Sequence, residues 1–380
     1  MAGIKYVSLH EPSGYGVAAR RYLRGLINLD VPLTWAPMVQ GSGWGLGYEP
    51  LPGSHTGDRL LDPFCHRAIE YDTVVVHTVP EYFPLWAQRE AGKRLVGYTV
   101  WETDRIPQHW RPLLNAVDRL MVPCEWNRRV FQRGGVNVPI SVVPHIAEPL
   151  EGTDTAAVPD EVRPSDFVFY TIGTWTNRKA LWDTLRCYWD AFPEDDGTVL
   201  VIKTTKRDFT RSFLGRFHGD TRRTIRRLQW RSGSSARICV ITDKVDDRLI
   251  RDLHRRGDCY VSLTRSEGWG LGSFDAAAAG NPVITTAFGG QLDYLPPHTA
   301  FLVHCKRIPV QDRVGRRSYS SDQQWAEPNK VHAAELMRTV SSNRDQAKEK
   351  GSALRRHVLG QFGERTVTER FLRGIGREWP

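Results

Sequence analysis

The chain has 380 residues, a net charge of +9, 40% hydrophobic residues and 25% charged residues. This profile is typical of a globular protein with room for two cores of ordinary size. Its six cysteines form no CxxC pair, which argues against a disulfide framework and a structural zinc site and favours a reducing environment. The sequence has no signal-like segment and no apolar run of about 18 residues. We therefore expect a cytoplasmic protein, with peripheral attachment at the inner membrane surface left open.

Short apolar, β-branched segments alternate with amphipathic stretches along the chain and predict strands and helices in turn. The strands predicted in the first half are Ile4–Leu9, Leu33–Val39, Thr73–His77, Leu95–Trp101, Arg119–Val122 and Ile140–Val143. Those predicted in the second half are Phe167–Gly173, Val199–Thr204, Arg237–Thr242, Cys259–Leu263, Pro282–Thr286 and Ala300–Val303. This alternation predicts an α/β fold with two doubly wound domains and parallel sheets.

The boundary between the two domains is predicted at Glu148–Pro159, which contains proline, glycine and acidic residues and has no periodicity. The first domain would comprise residues 1–150 and the second residues 151–360. We expect residues 361–380 to form a terminal helix that crosses back to the first domain.

A glycine-containing turn, Ser13-Gly14-Tyr15-Gly16, follows the first predicted strand and begins an amphipathic helix. Gly14 and Gly16 would let an anionic ligand approach the backbone at a helix N-terminus. A tight turn without a ligand is an equal alternative. The turn lacks the third glycine of the dinucleotide fingerprint, and this disfavours a nicotinamide-dependent enzyme.

The most informative stretch is Arg265–Ile284, in which a strand leads into a glycine-rich loop and then a helix. The helix is predicted from about Leu271 to Gly280, because Pro282 prevents its continuation. Backbone amides of the loop would face a diphosphate; the loop residues are Gly268, Trp269, Gly270 and Leu271. Glu267 and Asp275 would point into the same cleft, towards sugar hydroxyls and a ribose. The alternatives are a loop cap for Glu267 and an ordinary solvated acid for Asp275.

This stretch resembles the Glu-x7-Glu motif of family 4 glycosyltransferases of bacterial or phage type. That family has the GT-B fold, two Rossmann-like domains with a cleft between them, and retains anomeric configuration. Glu267 matches the first acid of the motif, and Asp275 takes the place of the second with one methylene fewer. The sequence from Gly289 to Asp293 also resembles the family's Gly-Gly-x-x-Glu element.

Further segments resemble the same family. Tyr170–Lys179 is similar to its glycine turn followed by Arg-Lys, and Val142–Ile146 to its Val-Ile-Pro-Asn-Gly element. Trp325–Pro328 is similar to a helix-entry element of bacterial members. The resemblance implies that Gly173 and Thr174 lie at the diphosphate, with positive charge from Arg178, Lys179 and Lys203. It also places His77 near the donor sugar, although a lone histidine at a strand end is as often a core residue.

The resemblance implies transfer of a sugar from a nucleoside diphosphate to an acceptor hydroxyl. Glu267 would orient the sugar, and Lys179 with the loop amides would stabilise the leaving diphosphate. We expect no cofactor and no metal, because no Asp-x-Asp follows a strand and the histidines show no paired ligand spacing. Residues Glu102–Asp104 would touch the acceptor or, more simply, cap their own loop.

Almost all of the net charge lies between Lys206 and Arg237, where ten basic and two acidic residues give a net +8. An anionic partner for this segment would be a phospholipid surface, a nucleic acid or an acidic polysaccharide, and a solvated face is the alternative. The acceptor would be a cell-envelope saccharide or lipid-linked glycan, or else a hydroxymethylated base. Stacking on that base would fall to Trp44, Trp230 or Tyr319, for each of which ordinary packing is the simpler expectation. A nucleotide-sugar-binding protein without catalysis is the third alternative.

Overall fold

The structure is a computed structural model that describes residues 2–41, 47–150, 159–194, 197–210, 219–312 and 318–377. Most of the predicted linker and Trp44 therefore lie outside the described residues. The chain divides into two compact units. The first comprises Met1–Trp101, Arg105–Ala147 and Gln361–Pro380; the second comprises Glu102–Asp104 and Glu148–Gly360.

The first unit is built on a seven-stranded sheet with the order β3-β2-β1-β4-β5-β6-β7. Its strands are β1 (Gly3–Leu9), β2 (Leu33–Gln40), β3 (Tyr48–Pro50), β4 (Tyr71–His77), β5 (Arg94–Tyr98), β6 (Arg119–Val122) and β7 (Ile140–Val142). All neighbouring pairs are parallel except β2 with the short edge strand β3. The helices between them are α1 (Gly14–Asn28), α2 (Phe83–Arg89), α3 (Trp110–Leu114) and α4 (Glu125–Arg133).

The second unit contains an entirely parallel six-stranded sheet with the order β10-β9-β8-β11-β12-β13. Its strands are β8 (Phe167–Ile172), β9 (Thr198–Lys203), β10 (Ile238–Ile241), β11 (Cys259–Ser262), β12 (Val283–Thr286) and β13 (Phe301–Val303). The helices are α5 (Leu181–Ala191), α6 (Thr221–Ser232), α7 (Asp247–Arg256) and α8 (Leu271–Ala279). Nearly uninterrupted burial along these strands is what a parallel sheet covered on both faces requires.

The chain continues through an antiparallel hairpin, β14 (Cys305–Pro309) and β15 (Gln324–Pro328), and three helices, α9 (Lys330–Ser342), α10 (Arg344–Phe362) and α11 (Glu364–Gly374). Trp325–Pro328 lies in strand β15, directly before the next helix, and so stands at the entry to that helix. The helix starts at Lys330, capped by Asn329. The last helix packs within the first unit, where Phe371 is fully buried and stacks on Tyr6 with ring centroids 5.9 Å apart.

Candidate functional site

The order of strands in the second sheet creates a topological switch point between its central strands β8 and β11. From β8 the chain moves outward through β9 and β10, then returns to the other side of β8 with β11. The loops that leave β8 and β11 therefore diverge, and open α/β sheets bind ligands at such a switch point, outside the carboxyl ends of the strands. The loop after β8 carries Arg178 and Lys179, and the loop after β11 carries Glu267.

Glu267 forms ion pairs with both cations of the neighbouring loop. Lys179 Nζ lies 2.5 Å from Glu267 Oε1, and Arg178 Nη1 lies 2.9 Å from Oε2. The glutamate side chain is 7% exposed. Burial alone would raise its pKa, but the charges and hydrogen bonds of Lys179 and Arg178 outweigh burial and lower the pKa to about 2. Glu267 is thus a carboxylate that stays ionised at any physiological pH, and it shares one site with Lys179.

Arg178 also has a second acidic partner. Its Nη2 lies 3.4 Å from Glu102 Oε1, and Glu102 Oε2 accepts a hydrogen bond of 3.1 Å from Tyr319. Burial lowers the pKa of Arg178, but the carboxylates of Glu102 and Glu267 raise it overall, so the guanidinium is permanently charged. Burial, followed by the charge of Glu102, raises the pKa of Tyr319.

Glu102 and Asp104, for which a cap of their own loop was the simpler expectation, make contacts with residues far away along the chain. The carbonyl of Glu102 accepts a hydrogen bond from the Ser266 hydroxyl, next to Glu267. Asp104 Oδ1 accepts a hydrogen bond of 2.6 Å from the amide of Gln324. These contacts place the three residues in the second unit, with Glu102 beside the ion pairs.

The backbone of Glu267 is held by the glycine pair that follows β12. The amide of Gly290 donates to the Glu267 carbonyl at 2.8 Å. Gly289 has φ 90°, and a β-carbon there would stand 2.6 Å from the same carbonyl oxygen. Only glycine satisfies both constraints, so this element fixes the backbone from which the Glu267 side chain extends.

Helix α8 begins immediately after the glycine-rich loop that carries Glu267, as predicted. Its last residue is Ala279, and Gly280 is its C-cap. Its N-cap residue is Gly270, which has no side chain to accept from the first amides. Amides at such a helix N-terminus can bind an anion. Gly268 and Trp269 are buried in the loop, and Asp275 is half-buried in the second turn. The contact of Asp275 with a ribose stays a prediction.

The remaining predicted residues of this unit lie at the carboxyl ends of β8 and β9. Lys203 pairs with Ile172, and its carbonyl accepts a hydrogen bond of 3.0 Å from the Gly173 amide. The Lys203 ammonium donates to the Thr204 carbonyl at 3.1 Å, and burial lowers its pKa. Thr174 is half-buried in the adjoining loop. Gly173 lies beside the ion-pair cluster, because a β-carbon there would stand 3.6 Å from the side chain of Lys179.

Arg265 is a positioning element that the sequence did not reveal. Its guanidinium lies 5.4 Å and 5.5 Å from the ring centroids of Trp182 and Trp325. It also contacts two carboxylates, at 3.0 Å from Glu327 and 3.4 Å from Asp183. Because Arg265 lies two residues before Glu267, this anchoring holds the loop against α5 and β15. Trp182 and Trp325 lie far from Arg265 along the chain, so no local sequence pattern indicated this contact.

The predicted residues of the first unit have structural roles in their described surroundings. The hydroxyl of Ser13 caps α1 by accepting from Gly16, and a β-carbon on Gly16 would meet the Glu11 carbonyl oxygen at 1.9 Å. Gly14 begins this helix. The close contact with Glu11 explains why position 16 is a glycine without any need for a ligand. It therefore favours the alternative of a tight turn that binds no ligand.

His77 lies at the end of β4 and is 1% exposed. Its Nδ1 is 2.8 Å from the Tyr6 hydroxyl, and its ring centroid is 4.2 Å from that of Tyr98. Burial, followed by the neighbouring His145, keeps its pKa well below the ordinary value. This packing favours a core role for His77, and its role at the donor sugar stays a prediction.

The basic segment contains helix α6, with Asp220 as its N-cap; residues 211–218 lie outside the described residues. The expectation that Trp230 packs in the ordinary way is wrong, because its side chain is 83% exposed. Tyr319, by contrast, is packed beside Glu102.

Among the described residues, no helix combines the length and the apolar character needed to cross a bilayer. No protein-family model matches the chain. No curated protein matches its sequence.

Solved structures resemble the chain over its whole length. Anabaena HepE in complex with UDP-glucose covers 99% of this chain and 100% of its own, with 11% identity and a TM-score of 0.67. Sucrose-phosphate synthase from Thermosynechococcus elongatus covers 98% and 97%, with 14% identity and a TM-score of 0.69. A trehalose-6-phosphate structure from E. coli, bound with UDP-2-fluoro glucose, covers 100% of both chains, with 14% identity and a TM-score of 0.65. The chain has the GT-B fold of these glycosyltransferases, as its sequence predicted.

Proposed function

We propose that this protein is a glycosyltransferase that moves a sugar from a nucleoside-diphosphate sugar to an acceptor hydroxyl with retention of configuration. The observation that carries the proposal is the pairing of Glu267 with Lys179 and Arg178 at the switch point of the second sheet. Support comes from the similar structures, two of which hold UDP-glucose or UDP-2-fluoro glucose.

The leaving diphosphate is the group that needs stabilisation as its charge builds up. In our proposal Lys179, Arg178 and Lys203 supply positive charge, together with the first amides of α8. Cations already in place make a metal unnecessary, so we propose transfer without one. Asp275 binds the ribose of the donor.

Glu267 orients the donor sugar through its hydroxyls. A carboxylate with a pKa of about 2 is a weak base at neutral pH, which argues against proton abstraction by this residue. The acceptor proton would instead pass to the departing phosphate oxygen on the same face of the sugar, as the family resemblance implies.

As acceptor we propose a cell-envelope saccharide or a lipid-linked glycan, with the reaction on the cytoplasmic side. A hydroxymethylated base in nucleic acid is the competing acceptor, and a nucleotide-sugar-binding protein without turnover is the competing function. Both are outcomes of the experiment that follows.

The test is a screen for released nucleoside diphosphate with UDP-, GDP- and dTDP-sugars, with glycan, glycolipid and hydroxymethylated DNA acceptors in separate arms. Glu267→Gln should lower turnover by at least about 100-fold, the range for loss of one preorganised electrostatic contact. The matched control is Glu349→Gln, an exposed acid on α10, which should leave turnover unchanged. The proposal is refuted if the donor binds but none of the arms shows turnover. It is also refuted if the Glu267→Gln variant is active.

A further inference from the structure

Helix α6 has one face turned to the protein and an opposite face turned to water. Thr221 and Ile225 are buried, and Leu228 packs partly against the core of the second unit. At 100° per residue, the positions opposite Ile225 are those near 223, 227 and 230. The exposed residues centred there form what we call the arginine face: Arg223, Arg226, Arg227, Trp230 and Arg231.

Trp230 lies on this face in the last turn of α6, one turn beyond Arg226 and Arg227. Its side chain is 83% exposed, and it is the one exposed Trp, Tyr or Phe in the part of the chain that the structure describes. Leaving an indole in water forgoes the stabilisation that burial would give. Its exposure therefore indicates a surface that is covered when the protein meets its partner.

The charges around Trp230 have no acidic partners on their own helix. Among the described residues, no ion pair involves Arg223, Arg226, Arg227 or Arg231; Arg222, at the margin, lies 3.5 Å from Asp243. Arg223 and Arg227 are four residues apart and repel each other, which by itself destabilises a helix. An anionic partner would remove that repulsion.

We propose that the arginine face docks on the surface of an anionic lipid bilayer, with the axis of α6 parallel to the membrane plane. Arginine side chains then contact lipid phosphates, and the indole enters the boundary between headgroups and acyl chains, where its apolar ring and N–H are both accommodated. A nucleic acid is the weaker candidate, because single-strand binding stacks successive bases on several aromatic residues along a groove. Here a single tryptophan stands on a convex helix.

The test is flotation of the purified full chain with vesicles, without donor or acceptor, so that its result is independent of the proposed transferase activity. One set of vesicles contains phosphatidylcholine alone, and the other contains about 30% phosphatidylglycerol at about 0.1 M salt. We expect binding to the second set only. The double variant Arg223→Ala/Arg227→Ala should bind about 30-fold more weakly, from about 1 kcal/mol per charge, and Trp230→Ala about tenfold more weakly.

Two controls change exposed charged and apolar side chains elsewhere in the same unit. Lys348→Ala/Arg356→Ala removes two exposed charges from α10, and Val331→Ala shortens an apolar side chain that is 68% exposed. Both should bind as the parent does, and all variants should keep its unfolding midpoint. The inference is overturned if the control pair weakens binding equally, if Trp230→Ala has no effect, or if the chain binds oligonucleotides but no vesicles.

Discussion

Replacing Glu267 by glutamine removes one charge from the site while nearly preserving the shape of the side chain. Lys179 and Arg178 are only 23% and 18% exposed, so both lose an effective counter-charge. The pKa of Glu267 falls from an ordinary 4.5 to about 2 in the folded protein. At about 1.4 kcal/mol per pH unit, that difference corresponds to about 3 kcal/mol of stability at pH 7.

The pH dependence gives this prediction its specificity. Because the folded pKa is depressed, the stabilisation is complete above pH 4.5 and is lost as the pH falls towards 2. We expect the wild-type protein to exceed Glu267→Gln by about 3 kcal/mol at pH 7 and by about 2 kcal/mol at pH 3.5. Urea unfolding at both pH values measures the two differences.

Glu349→Gln, which removes an exposed acid, should differ from wild type by less than about 0.5 kcal/mol at either pH. A Glu267→Gln deficit that is the same at pH 7 and pH 3.5 would show that the carboxylate does not titrate with a depressed pKa. The ion-pair argument would then be wrong.

Three further outcomes follow from the site. Gly289→Ala should lose at least about 2 kcal/mol in thermal unfolding, because its β-carbon would stand 2.6 Å from the Glu267 carbonyl oxygen at φ 90°; an unchanged melting temperature would contradict that reason. Asp275→Asn should raise the donor KM about tenfold with little change in kcat, as loss of a ground-state contact does; an unchanged KM would remove Asp275 from the ribose. Transfer should proceed at the same rate after dialysis against EDTA, and a loss restored by Mg²⁺ or Mn²⁺ would refute metal independence.

The regular part of the fold was predictable from the sequence because its strands are predominantly apolar. All twelve predicted strands are present. Helix α8 has Gly280 as its C-cap, which is the end that Gly280 and Pro282 predict. The strands that were missed are β3 and the hairpin of β14 and β15. They lie outside the buried centre of either sheet and carry residues such as Lys306 and Arg307, so periodicity gave no signal for them.

The site was predictable only where its residues follow strands of a parallel sheet. The positions of Lys179 and Glu267 after β8 and β11 made their proximity foreseeable. The contacts of Glu102 were not, because Arg178 and Tyr319 lie far from it along the chain. The exposure of Trp230 was equally hidden, since a tryptophan in a sequence is ordinarily a packed residue.

Two acids, Glu102 and Glu267, balance two bases, Arg178 and Lys179, in the site. The formal charges of these four side chains sum to zero, so both cations already have counter-ions before an anion binds. A diphosphate bound by Arg178 and Lys179, as we propose, would share these cations with Glu102 and Glu267, so the protein's own acids would compete with it. Such competition rejects weak anions, because only a ligand that satisfies both cations at once recovers what the competition costs.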